Sequence, residues 1–231
     1  MPAQGTGVSG ALGHPDAPVR RRGRPPKAEA GDTKDALLRA ALRLFAAHGY
    51  EGTSVRAIAR AVGLSESVLY AHFSGKREIF DTVLARQGPQ GALDVLARMD
   101  PAMADTDPPG FVRVLIGRLV DEWSTPPSRQ LISLMAHDDL IHHPALENAI
   151  DMAVRGLAER FAAWIAAGRI AADAGAPEEL AYALIAPVAL ARVLWLHDGA
   201  DPARIAAARN RATRHAEFFI SAVFRPRPAG P

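Results

Sequence analysis

Cysteine is absent from the 231 residues. Disulfides, thiolate metal sites, iron–sulfur ligation and cysteine nucleophiles are therefore excluded, and a reducing, cytoplasmic setting is expected. Aromatic residues are scarce, at 6%. Runs rich in Val, Ile and Thr are missing as well, which takes weight away from β-sheet. The longest apolar stretch, around Leu180 to Ala191, contains Pro187 and is followed by Arg192. It is too short to span a membrane and reads as a buried helix. The N-terminus has no apolar core of the kind a secretory leader needs, so none is expected. Lysine is rare too, at three of the 27 basic residues.

What is present is an ordinary globular balance, 48% apolar and 23% charged. The length allows one or two helical domains with a real core. Alanine makes up about a fifth of the residues, which favours helices. An all-α fold is expected. The net charge of +2 is unevenly spread. Residues 1–81 hold 12 basic against 8 acidic residues, and residues 82–231 hold 15 against 17. A basic N-terminal third on a near-neutral remainder suggests a polyanion-binding module joined to something else.

Residues 1–30 are rich in Gly and Pro, lack apolar periodicity, and read as a disordered basic arm. Within it, Arg20-Arg21-Arg22-Gly23-Arg24-Pro25-Pro26-Lys27 is either a solvated charge run or a segment whose Arg22 and Arg24 enter a DNA minor groove. From Asp32, a candidate cap, Leu37, Leu38, Ala41, Leu42 and Phe45 follow at helical spacing, so a helix is predicted over 33–48, closed by Gly49. Thr53 or Ser54 caps a short second helix that stops at Gly63. Ser65 caps a third, with Leu69 and Phe73 inward. A fourth starts at Lys76. Two short helices joined by a tight Gly turn and braced by a longer one form a helix-turn-helix plan. The outward positions of the third, Ser65, Ser67, Val68, Tyr70, Ala71 and His72, are small, polar or hydrogen-bonding, as entry into a major groove requires. Further helices are predicted at about 89–99, 109–124, 127–137, 144–168, 177–197 and 202–224, with Pro and Gly at the joins.

The stretch Ala40-Ala41-Leu42-Arg43-Leu44-Phe45, with Gly49-Tyr50, Thr53-Ser54-Val55-Arg56-Ala57-Ile58-Ala59, Val62-Gly63-Leu64-Ser65, Leu69-Tyr70-Ala71-His72-Phe73 and Gly75-Lys76, resembles the TetR family of transcriptional regulators. The resemblance implies a DNA-binding domain over residues 31–91 and a helical ligand-binding and dimerisation domain over 92–225. It also implies about nine helices, with the last two of each protomer pairing in a dimer. It implies phosphate contacts by Thr53 or Ser54, Tyr70, His72 and Lys76, and base-edge contacts by Ser65, Ser67 and Val68. Ser67 departs from the Gly common at that position, which leaves the operator sequence open. The arm gains weight in this setting, since Arg-Gly-Arg-Pro before such a module looks like an AT-hook core.

The second half says less. Ile205, Ala208, Ala212, Phe219 and Ala222 form a stripe on the last helix, with Phe218 beside it, and this stripe is expected to build a homodimer interface through residues 177–224. Trp123, Met135, Trp164 and Tyr182 are candidate linings for an unknown small-molecule effector. His137-Asp138-Asp139 with His142-His143 reads as a polar loop rather than a metal site. No spaced catalytic set is visible, so neither an enzyme nor a cofactor is expected. The sequence reads as a dimeric, ligand-responsive repressor binding double-stranded DNA at a pseudo-palindrome. The alternative is an architectural, A·T-preferring DNA binder.

Overall fold

A computed structural model describes residues 27–87, 90–138 and 144–224. Arg22, Arg24, Asp139, His142 and His143 lie outside the described residues. Eleven helices and no strand are found among the described residues. They are α1 (Lys27–His48), α2 (Val55–Ala61), α3 (Glu66–Tyr70), α4 (Lys76–Gln87), α5 (Gln90–Ala97), α6 (Pro101–Thr106), α7 (Pro108–Trp123), α8 (Pro126–His137), α9 (Pro144–Ala166), α10 (Pro177–Trp195) and α11 (Pro202–Val223). Each of α6 to α11 opens on a proline, whose fixed φ suits the first turn and whose missing N–H is not needed there. Two expectations are corrected. Helix α1 begins at Lys27, so Asp32 lies within it and caps nothing; Ala28, Glu29 and Ala30 are strong helix formers that extend it upstream. Helix α6, capped by Asp100, occupies the stretch between the helices predicted at 89–99 and 109–124, where a Pro-marked join is expected.

Two cores organise the chain. In the first, α1 buries Leu37, Leu38, Ala41, Leu42 and Phe45 against Ile58, Leu69, Phe73, Ile79, Phe80 and Val83. Phe45, Tyr50 and Phe80 meet in a tilted and edge-on cluster with ring centroids 4.7–5.8 Å apart. Gly63 takes φ +72° and closes α2. Its N–H donates to Arg60 and that of Leu64 to Ala59, the paired bonds of a Schellman turn. That turn sets the angle between α2 and α3.

The second core surrounds α7, which buries Phe111, Val112, Leu115, Ile116, Leu119 and Trp123. Phe161, Trp164 and Phe219 stack edge-on around it. Helix α11 packs on α7 and α10 and buries Ala208, Ala212 and Ala216 in this core, where small side chains allow close helix approach. Arg113–Glu217 and Arg209–Asp121 ion pairs flank that contact. Most of the stripe expected at a dimer interface therefore faces the chain's own core. Phe218 points outward instead and is 71% exposed.

The two halves meet at α8, which packs on α1 and α4. Its Leu134 is fully buried in the first core, while Leu131, Ile132 and Met135 form a small cluster of their own beside Leu84.

Candidate functional site

The exposed face of the helix-turn-helix follows from local capping. Ser54 is the cap of α2, its Oγ accepting from the N–H of Ala57 at 3.1 Å. Thr53 is buried, and its hydroxyl donates to the carbonyl of Gly49 at 2.9 Å. The pair thus divides, with Ser54 outward and Thr53 bracing the preceding turn. Ser65 stands at the start of α3 but makes no side-chain cap; its Oγ lies 2.8 Å from that of Ser67. The α3 face then presents Ser65, Ser67, Val68 and Tyr70 to solvent, while Leu69 alone is buried and His72 is half-buried. Arg56 of α2 pairs with Glu66 of α3 at 3.6 Å, and both remain largely exposed.

Lys76 is placed differently from a free phosphate contact. Its Nζ donates to the carbonyl of Tyr50 at 2.8 Å and sits 4.1 Å from the centre of the Tyr50 ring. An ammonium has three N–H groups, so donors remain beyond the one used here. At the start of α4, Glu78 accepts from both the N–H and the hydroxyl of Ser74, and these bonds hold its carboxyl below the usual range.

Tyr50 also joins the module to the second half. Gly49, at φ +71°, ends α1 with its N–H on the carbonyl of Phe45, a left-handed cap that leaves the N–H of Tyr50 without a partner in its own helix. The carboxylate of Asp138, at the end of α8, accepts it at 2.9 and 3.1 Å.

Beside this joint lies a cavity of about 640 Å³. That falls within the range of pockets for drug-sized ligands. Leu115, Leu119 and Trp123 of α7 form its floor. Leu131, Ile132, Met135 and His137 of α8 line one wall, Ile150, Ala153 and Val154 of α9 another. Tyr182, Ile185, Ala189 and Arg192 come from α10, and Ala46 of α1 reaches the edge. Of the four candidate lining residues, Trp123, Met135 and Tyr182 face this cavity, with Tyr182 more than half exposed. Trp164 does not. It is buried in the second core, where its Nε1–H donates to the carbonyl of Ala104 at 2.7 Å.

Arg192 in the cavity wall and Asp138 at the joint are two residues of this region that the sequence analysis did not single out as site residues. Arg192 lies under Trp123, 4.9 Å from the ring centre, and burial pushes its guanidinium down to about 10, with Glu122 acting the other way. The available signal was a lone cation within an apolar helix. Asp138 offered none, since its partner is 88 residues away.

Comparison with known proteins is consistent with this geometry. Residues 37–83 match the family model described as bacterial regulatory proteins, tetR family. The chain is 37% identical over 95 residues to the HTH-type transcriptional regulator TcmR of Streptomyces glaucescens, a match covering 38% of this chain and 39% of TcmR. The chain thus spans about two fifths of that relative's length. The fold is shared with NalD, the secondary repressor of the MexAB-OprM multidrug efflux pump in Pseudomonas aeruginosa, with a TM-score of 0.64 at 22% identity over 86% of this chain and 99% of NalD. It is likewise shared with SmeT, from Stenotrophomonas maltophilia, in its triclosan complex, with a TM-score of 0.63 at 18% identity over 87% and 100% of the two chains.

Proposed function

Because this chain belongs to the TetR family, we propose that it is a DNA-binding transcriptional regulator, a homodimeric repressor released from its operator when a small molecule fills the cavity. The observation that carries the DNA-binding part is helix α3, on which Leu69 alone is buried and the other side chains are exposed. In this reading Ser65, Ser67 and Val68 meet base edges in the major groove. Ser54, Tyr70, His72 and Lys76 hold phosphates. Thr53 shapes the turn. Arg22 and Arg24 add minor-groove contacts.

The homodimer is proposed through the outer face of α10 and α11, where Leu190, Leu194 and Phe218 are all more than half exposed. It would set two α3 helices about one helical turn of DNA, roughly 34 Å, apart. Among the described residues no helix is long and apolar enough to cross a membrane. The working place we propose is the cytoplasm, beside the DNA.

Ligand response would run through α8. One side of this helix lines the cavity, while Leu134 and Asp138 fasten it to the first core and to the α1–α2 turn. A molecule that fits only one position of α8 would favour the α3 spacing that goes with it, and the DNA would favour the other.

Selection of bound duplexes from a randomised DNA pool, at near-physiological salt, tests this. One enriched palindrome with regular half-site spacing is expected. Enrichment of A·T-rich duplex without a palindrome would overturn it in favour of architectural binding.

A further inference from the structure

The cavity has a polarity as well as a volume. Its wall is overwhelmingly apolar, and Arg192 is the one lining residue with a permanent charge; no carboxylate lines it among the described residues. The Nε of Arg192 is buried and has no hydrogen-bond partner among the described residues. Its charge is felt by Glu122, but Glu122 does not line the cavity, and its Oε1 accepts from the hydroxyl of Ser128 at 3.4 Å. A buried donor without an acceptor is costly, and a guanidinium more so. Trp123 covers one face of the guanidinium, so its N–H groups lie in the plane at the edge of that stack. A planar cation held this way matches a carboxylate, which can take two parallel N–H bonds.

We infer that the effector is an amphiphilic organic carboxylate, its acid group on the guanidinium of Arg192 and its apolar body along Leu119, Ile132, Val154 and Ile185. This rests on the reading of the cavity as an effector site. It adds the ligand's charge and its orientation. Desolvation that weakens the guanidinium's hold on its proton is the same strain a bound carboxylate would relieve.

The test is isothermal titration of the full-length protein with matched probes: octanoate, decanoate, dodecanoate, 4-phenylbutanoate and indole-3-propanoate, each beside its primary amide and its amine. At least one carboxylate is expected to bind about tenfold or more tighter than its amide, with the amine weakest. R192Q should remove that preference while leaving amide binding in place, which also shows that the variant keeps its cavity. If no carboxylate of the panel binds tighter than its own amide and amine while some probe still binds, the inference is overturned and the effector site left standing. A carboxylate preference that survives in R192Q overturns the role of Arg192. Failure of every probe, charged or neutral, removes the effector reading and the inference with it. The carboxylate–amide comparison is made on the unaltered protein, so it does not depend on R192Q folding.

Discussion

Replacing Asp138 by Ala should loosen the joint between the two halves more than any other single polar substitution. Both carboxylate oxygens accept from the N–H of Tyr50, at 2.9 and 3.1 Å, in a half-buried setting. A bond to a charged acceptor contributes about 1.5–3 kcal/mol, and the solvent that reaches this site brings the expectation to about 1–2 kcal/mol. Among the described residues no backbone acceptor is found for that N–H, because the left-handed turn at Gly49 carries Tyr50 out of the helical ladder. For a chain of this length each kcal/mol lowers Tm by about 2–4 °C. Asp138→Ala should therefore melt about 2–8 °C lower by circular dichroism. Asp138→Asn keeps one carbonyl acceptor and should lose about half as much. The functional consequence is separate. If α8 transmits the state of the cavity through this bond, the probe concentration that releases DNA should rise about two- to tenfold in Asp138→Ala, a share of the 1–3 kcal/mol usual for coupled sites. Normal probe-driven release in a destabilised variant would refute Asp138 as the link. An unchanged Tm would refute the energetic reasoning itself.

Other substitutions separate the remaining roles. Tyr70→Ala should weaken binding to all duplexes alike, whereas Ser67→Ala or Val68→Ala should change the selected sequence; equal effects on sequence preference would show that the contacts are wrongly sorted. Leu190→Glu with Leu194→Glu should give a folded monomer by sedimentation and abolish palindrome binding, and a persistent dimer would move the interface elsewhere. Trp164→Phe should cost about 1–3 kcal/mol, by losing the bond to Ala104 and leaving space in the core, with no change in probe affinity. The bond from Arg113 holds the Glu217 carboxyl below its ordinary value of 4.5. Any stability from that pair is present above that value and fades as pH falls through the lower folded one. The Tm gap between the protein and Arg113→Gln should thus be widest above about pH 5 and close in acid; a gap independent of pH would assign the effect to packing.

How far the sequence could lead differs between the halves. The DNA-binding module was legible because its logic is local: glycines at 49 and 63 for positive φ, a serine at the head of α2, and apolar residues at helical spacing. Prolines marked the later helix starts for the same reason. Where side chains meet across long stretches of chain, spacing gave no guidance. The alanine stripe on α11 fits an interface and an internal contact equally well, and the chain's own second core takes most of it. Trp164 and Trp123 are similar residues to a sequence, and both are buried in the second core, yet only Trp123 also faces the cavity. The contact of Lys76 with Tyr50, 26 residues away, is likewise beyond what spacing shows, and it leaves donors of the ammonium for the phosphate contact proposed above.

Helix α10 divides its surface three ways. Leu180, Leu184 and Val188 serve the core, Ile185, Ala189 and Arg192 the cavity, and Leu190 and Leu194 face outward. A substitution there alters more than one property at once. On α9, Ile150 and Ala153 line the cavity without belonging to either core. Those two positions can change the shape of the cavity at little cost to folding. A mutant library that tests the proposed effector site should begin there and leave α10 unchanged.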